Sequence, residues 1–181
     1  DILLLLVNYI INFQSKMLKL IKEKVYKGAE MKTYRKNTAA IILNAENEIL
    51  LFQRADLPQI WGFPQGGIET GEAPEQAVVR ELEEEIGTQD FEIIGKYPEL
   101  LRYDFPEGMT FPDWSYDGQE QQYFLIRLYP EASINVKTGH PEFISYKAVP
   151  FADIDFNAFS FKADVYRKAL TYFKKEFKEI K

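Results

Sequence analysis

The 181 residues predict a layered α/β domain. Short apolar runs of strand length alternate with two stretches of helical periodicity. A hydrophobic content of 46% and an aromatic content of 15% supply a core for one domain of this length. Ala39–Leu43 and Ile49–Gln53 read as two strands joined by the turn Asn44-Ala45-Glu46-Asn47, a hairpin. Leu57–Gly67 reads as a loop anchored by Trp61, Phe63 and Pro64. Pro74–Ile86 is a helix, because Pro74 suits the first turn and Gly87 the C-terminal cap. Strands are predicted at Phe91–Tyr97 and Leu100–Tyr103. The long connection Asp104–Gly118 holds two Phe, two Pro, Trp114 and Tyr116, a composition that suits an ordered loop beside a ligand. Tyr123–Leu128 and Ile144–Ala148 complete the strands. Asp164–Phe177 is a C-terminal helix whose Val165, Ala169, Tyr172 and Phe173 fall on one face. Neither an internal repeat nor a second folded domain is visible.

Residues 1–30 differ from the rest and are set apart as an N-terminal extension to a domain spanning 31–181. Ile2–Phe13 is mostly apolar but short of the roughly 20 residues of a membrane span. Its lysines (Lys16, Lys19, Lys22 and Lys24) follow the apolar run, the reverse of a secretory signal. The segment reads as a mis-assigned start or an appended piece ahead of Met31. The second reading is an amphipathic helix, Lys16–Tyr26, lying on the domain, a partner or a membrane surface. No stable membrane association is expected of residues 31–181.

Composition excludes several chemistries. The chain has no cysteine, hence no disulfide, thiolate zinc site or cysteine nucleophile, and it suits a reducing cytoplasm. A single histidine, His140, expected in a loop, gives little scope for a Ser-His-Asp triad or a histidine metal site. The net charge of −6 argues against broad duplex binding but permits capture of a phosphorylated end by a few cations.

Gly66–Thr88 is the most informative stretch. On the predicted helix, Glu81, Glu84 and Glu85 share one side, beside the apolar stripe Val78, Val79, Leu82 and Ile86. Three clustered carboxylates repel one another unless a cation offsets them, and an oxygen-only set suits Mg²⁺ or Mn²⁺. The alternative is a solvated acidic face, which explains the glutamates but not the fixed glycines and arginine around them. Gly66, Glu72, Arg80, Glu81, Leu82, Glu84, Glu85 and Gly87 carry the spacing G-x5-E-x7-R-E-U-x-E-E-x-G, with U apolar, and so resemble the Nudix hydrolase signature. One departure is Thr88, where an apolar residue is usual, a matter of packing. The resemblance sharpens the fold expectation to the Nudix α/β/α sandwich, a mixed sheet between helices.

Further stretches resemble one branch of that family, the bacterial RNA pyrophosphohydrolases. They are Tyr34-Arg35-Lys36-Asn37, Trp61-Gly62-Phe63-Pro64-Gln65-Gly66-Gly67, Gly118-Gln119-Glu120-Gln121, Pro141-Glu142-Phe143 and Ser160–Arg167. The resemblance implies removal of pyrophosphate from 5′-triphosphate RNA, or alternatively hydrolysis of dinucleoside polyphosphates such as diadenosine tetraphosphate. A non-catalytic Nudix-fold binding module is the third reading, disfavoured by the intact carboxylates. The resemblance also implies roles. Glu81, Glu84, Glu85 and Glu142 would hold Mg²⁺ (or Mn²⁺), with Glu81, Glu85 and Glu142 all candidates for general base. Arg80 would pair with a box carboxylate, Glu72 would support it, and Gly66 and Gly67 would let backbone approach the phosphates.

Arg35, Arg54 and Lys162 are the expected phosphate contacts, each with a solvated surface charge as its alternative. Phe161 would stack on a base, or else pack on the core beside the C-terminal helix. Gln119 would hydrogen-bond a base or phosphate, or else occupy a strand edge. Tyr34 and Tyr103 carry a weaker case for stacking. Gly62, Glu120 and Ala55 stand where relatives often carry Gln, Lys and Arg, and the loss of two cations bears on affinity for RNA.

Overall fold

The computed structural model describes residues 13–19, 32–111, 115–139 and 141–181. The chain divides into two compact units, Asp1–Lys32 and Thr33–Lys181. In the first, residues 13–19 are helical, with Phe13, Met17 and Leu18 exposed. Most of the amphipathic helix expected at Lys16–Tyr26 lies outside the described residues, as does His140. Among the described residues no helix is long and apolar enough to cross a membrane.

In the second unit, eight strands among the described residues form one mixed sheet: β1 (Tyr34–Leu43), β2 (Ile49–Arg54), β3 (Trp61–Gly62), β4 (Gln65–Gly67), β5 (Phe91–Lys96), β6 (Leu101–Asp104), β7 (Gly118–Leu128) and β8 (Phe143–Val149). The central path runs β3-β2-β1-β7-β5, with β4 on β1, β6 on β7 and β8 on β2. Among the described residues only the β1–β7 pair is parallel, in register from Tyr34↔Gly118 to Leu43↔Arg127.

Alternation along β1 divides the core in two. Ala39, Ile41 and Leu43 join one buried cluster with Tyr123, Leu125, Val165, Ala169 and Phe173. Ala40 and Ile42 join the other, with Phe124, Ile126, Val78, Leu82 and Ile86. Helix α1 (Pro74–Ile86) therefore covers one face and α2 (Ala163–Glu176) the other. This is the predicted α/β/α sandwich with a mixed sheet between helices.

The largest boundary corrections fall on two strands. β1 begins at Tyr34 rather than Ala39, and β7 at Gly118 rather than Tyr123. These halves are polar and lack the apolar alternation that marks a strand. They extend because each pairs with the other and β7 is flanked on its second edge by β6. The predicted loop Leu57–Gly67 contains the short strands β3 and β4. The hairpin turn forms as expected: the Asn44 side chain accepts the Glu46 and Glu48 N–H groups at 3.0 and 2.8 Å, and Asn47 takes φ 60°.

Candidate active site

Helix α1 starts at Pro74, with the Gln76 side chain accepting the Ala73 N–H at 2.9 Å. It ends at Gly87 in the left-handed region (φ 67°), whose N–H donates to the Glu83 carbonyl at 3.1 Å. Docking of Val78, Leu82 and Ile86 on the sheet turns the box carboxylates toward β4. Glu85 is drawn furthest in, at 3% exposure, whereas Glu84 stays outside. Thr88, the departure from the signature, is buried and its hydroxyl accepts the Asp90 N–H at 3.1 Å.

Arg80 ties the box together. Its Nε and NH2 grip Glu72 at 2.9 Å each, NH2 also donates to the Gly67 carbonyl at 2.8 Å, and NH1 meets Glu81 at 2.8 Å and Glu84 at 3.5 Å. The guanidinium hydrogen-bonded to it holds Glu72 below the usual carboxylate range. Gly66 is required by contact: a Cβ there would enter the Glu81 carboxyl, and one at Gly67 would enter the Arg35 guanidinium.

Glu85 Oε2 accepts the Gln65 N–H at 3.0 Å, while its Oε1 is buried without a hydrogen-bond partner. Burial pushes this carboxyl well up, and Glu142 and Glu81 add to the rise. Burial likewise raises Glu81 against the opposing pull of Arg80, with Glu84 and Glu142 contributing. Glu142 comes from the loop before β8, docked where the Ala55 N–H donates to the Glu142 carbonyl at 2.8 Å. As the side chains stand, no three carboxylates or imidazoles among the described residues converge on one point, because Glu81 and Glu84 lean toward Arg80. The stranded Glu85 oxygen and the oxygen-only donors nevertheless fit a hard divalent ion, which would satisfy that oxygen and offset the mutual repulsion.

A cleft of about 690 Å³ opens beside these carboxylates. Glu81, Glu142 and Gly66 line it together with Arg35, Arg54, Gln119, Phe161 and Lys162. Glu72, Arg80, Glu84, Glu85 and Gly87 stand outside its lining. Arg54 is held by Asp56 through paired hydrogen bonds of 2.8 and 2.7 Å, and this contact keeps the guanidinium charged and the carboxyl below its usual range. The Lys162 ammonium donates to Gln65 Oε1 at 2.8 Å and lies 5.5 Å from the Tyr103 ring centre. Burial, with Arg54 adding, pushes it down to about 7. Phe161 is half-buried against the core and meets Tyr103 at 5.6 Å, so it packs and lines the cleft at once. Gln119 does not sit at an edge, being flanked by Arg35 on β1 and Tyr103 on β6. The Tyr34 hydroxyl donates to Asp104 at 2.8 Å. At the altered position, Glu120 is paired with Arg102 at 2.5 Å.

Three site features escaped sequence reasoning. Asp56 clamps Arg54, a pairing available from their two-residue spacing in a turn. Gln65 was visible only as part of a motif string. Ser160 takes φ 54°, ψ −134° at the cleft wall, a strained backbone that no residue pattern announces.

Comparison with known families matches the NUDIX domain model to residues 33–169. The chain belongs to the NUDIX domain family. Its Nudix domain is similar to the RNA pyrophosphohydrolase of Nitratiruptor sp., 49% identical over 151 residues, covering 81% of this chain and 97% of that protein. The RNA pyrophosphohydrolase of Campylobacter jejuni is 46% identical over 149 residues, covering 80% and 96%. Among solved structures, a C. elegans Ap4A hydrolase binary complex shares the Nudix fold at TM-score 0.58 and 21% identity, covering 80% of this chain and 98% of that one.

Proposed function

We propose that this chain is a divalent-metal-dependent RNA 5′ pyrophosphohydrolase, removing pyrophosphate from 5′-triphosphate RNA to leave a 5′-monophosphate that triggers decay. The observation that carries the reading is one cleft in which Glu81 and Glu142 face Arg35, Arg54, Lys162 and Phe161. Similarity to two RNA pyrophosphohydrolases along nearly their whole length supports it. The catalytic domain is residues 31–181, with 1–30 an N-terminal extension, and we place the reaction in the cytoplasm.

Arg35, Arg54 and Lys162 bind the phosphate oxygens through charge-assisted hydrogen bonds. Phe161 offers a ring face to a base, and Gln119 fixes its edge. Glu81, Glu84, Glu85 and Glu142 would hold Mg²⁺ or Mn²⁺. When bound, such an ion would supply positive charge against the phosphates and would lower the pKa of a water. Glu81 and Glu142 face the cleft, so one of them takes the proton of the attacking water, while Glu85, buried behind Gln65, holds its place in the cage. Arg80 and Glu72 orient the helix and do not touch substrate.

The reading is tested by incubating the protein and Mg²⁺ with a 5′-triphosphate RNA oligomer and resolving the products. Pyrophosphate and 5′-monophosphate RNA are expected. RNA left intact while diadenosine tetraphosphate is cleaved would assign the site to dinucleoside polyphosphates instead.

A further inference from the structure

Beneath the cleft floor, one side chain joins groups that lie far apart in the sequence. The Gln65 N–H holds Glu85 Oε2 at 3.0 Å. Its Oε1 accepts from Lys162 Nζ at 2.8 Å and from Gln121 Nε2 at 3.2 Å, and its Nε2 donates to Gln119 Oε1 at 3.2 Å. The direction of this network is fixed by chemistry, since an ammonium only donates and must face the amide oxygen. That leaves the Gln65 nitrogen for Gln119, whose oxygen also accepts the Tyr103 hydroxyl. Gln121 is locked in turn, donating to Asn37 Oδ1 at 2.7 Å and accepting the Tyr123 hydroxyl at 2.6 Å. Gln119, Gln121 and Asn37 are buried, so none of them can exchange its partner for water at will.

We propose that Gln65 is a positioning residue that couples the carboxylate cluster to Lys162, fixing the ammonium where it meets the substrate phosphates. The proposal rests on the reading of Lys162 as a phosphate contact. Lys162 reaches the cleft from the 3₁₀ turn before α2, on a flexible four-carbon stem, and the Gln65 oxygen holds it beside the Tyr103 ring. The same residue's backbone holds Glu85, so the phosphate clasp and the metal-binding carboxylates share one ruler of a single residue's length. A change at the Gln65 side chain leaves its N–H, and with it the hold on Glu85, in place. Its effect therefore falls on substrate capture.

The test is a double-mutant cycle read as KM and kcat on a 5′-triphosphate RNA oligomer with Mg²⁺. Gln65→Leu should raise KM about tenfold or more with kcat changed less than about threefold. Lys162→Met should raise KM by a similar factor, and the double variant should be no worse than Lys162→Met alone, because the two groups act as one. Gln65→Glu keeps the acceptor for Lys162 but loses the donor to Gln119 Oε1, which still accepts from the Tyr103 hydroxyl and Gln121 Nε2, and it should hold KM within about threefold of wild type beside Lys162. In the Lys162→Met background the bare carboxylate should raise KM about tenfold further, so this arm reads the coupling even if Gln65→Leu does not fold. Additive effects, or a Gln65→Glu effect equal in both backgrounds, would overturn the proposal. If Lys162→Met raises KM and Gln65→Leu does not, the Gln65 assignment alone falls. If Lys162→Met leaves KM unchanged, the phosphate-contact reading falls and this proposal with it.

Discussion

Glu85 combines 3% exposure, an oxygen without a hydrogen-bond partner and two neighbouring carboxylates. Burial and the neighbouring carboxylates raise its folded-state carboxyl well above the ordinary 4.5, so the charged form costs more in the folded protein than in the unfolded chain. Stability from this group is present below the unfolded value and is lost as pH rises through the raised folded one. Glu85→Gln should therefore melt above the wild type at neutral pH without metal, gain less from added Mg²⁺, and lose turnover. A fully active Glu85→Gln or Glu84→Gln enzyme would contradict the cage. Lys162 supplies the second pH prediction. An ammonium titrating at about 7 should make kcat/KM fall as pH rises past neutrality, and Lys162→Met should abolish that arm. The sign of its stability term is opposite: the unfolded lysine, near 10.5, binds more protons across this window, so folding gains as pH rises. The part of a fall in activity above pH 7 that Lys162→Met abolishes is then loss of the cation, while the Glu85 contribution to stability falls in the opposite sense.

Helix α1 and strand β4 act as a cassette held by Arg80, whose fork spans Glu72, Glu81 and the Gly67 carbonyl. Lysine cannot reproduce that fork, so Arg80→Lys should cost on the order of 1 kcal/mol, seen as a lower Tm, and should reduce kcat as Glu81 loses its anchor. Gly66→Ala isolates the geometry, because the added methyl displaces the Glu81 carboxyl while the β4 backbone has no demand for positive φ. Circular dichroism should report an intact fold and the Mg²⁺-dependent rate should drop at least about tenfold. Such elements were readable in sequence where local chemistry decides them: Pro74, Gly87 and the Val78-Leu82-Ile86 stripe mark α1 by themselves. The polar ends of β1 and β7 were not readable, since Tyr34–Asn37 and Gly118–Gln122 become strands by long-range pairing, chiefly with each other across 84 residues of chain. The site divides in the same way. Its box carboxylates Glu81, Glu84 and Glu85 follow from helical spacing, but Glu142 lies in a distant loop, the Gln65–Lys162 contact joins residues 97 apart, and the Ser160 backbone strain leaves no residue pattern.

At the scale of the whole molecule, a chain of net charge −6 gathers Arg35, Arg54 and Lys162 into one cleft on the sandwich. Ala55 and Glu120, the latter paired to Arg102, add no cation to that cleft. On the proposed reading, substrate choice depends on these three cations and on the Phe161 face. The decisive measurement is kcat/KM for a 5′-triphosphate RNA oligomer and for diadenosine tetraphosphate, side by side with the same protein and Mg²⁺. The account predicts the higher value for RNA, with pyrophosphate and 5′-monophosphate RNA as products. A clear preference for the dinucleotide, or turnover of neither with metal bound, would contradict it.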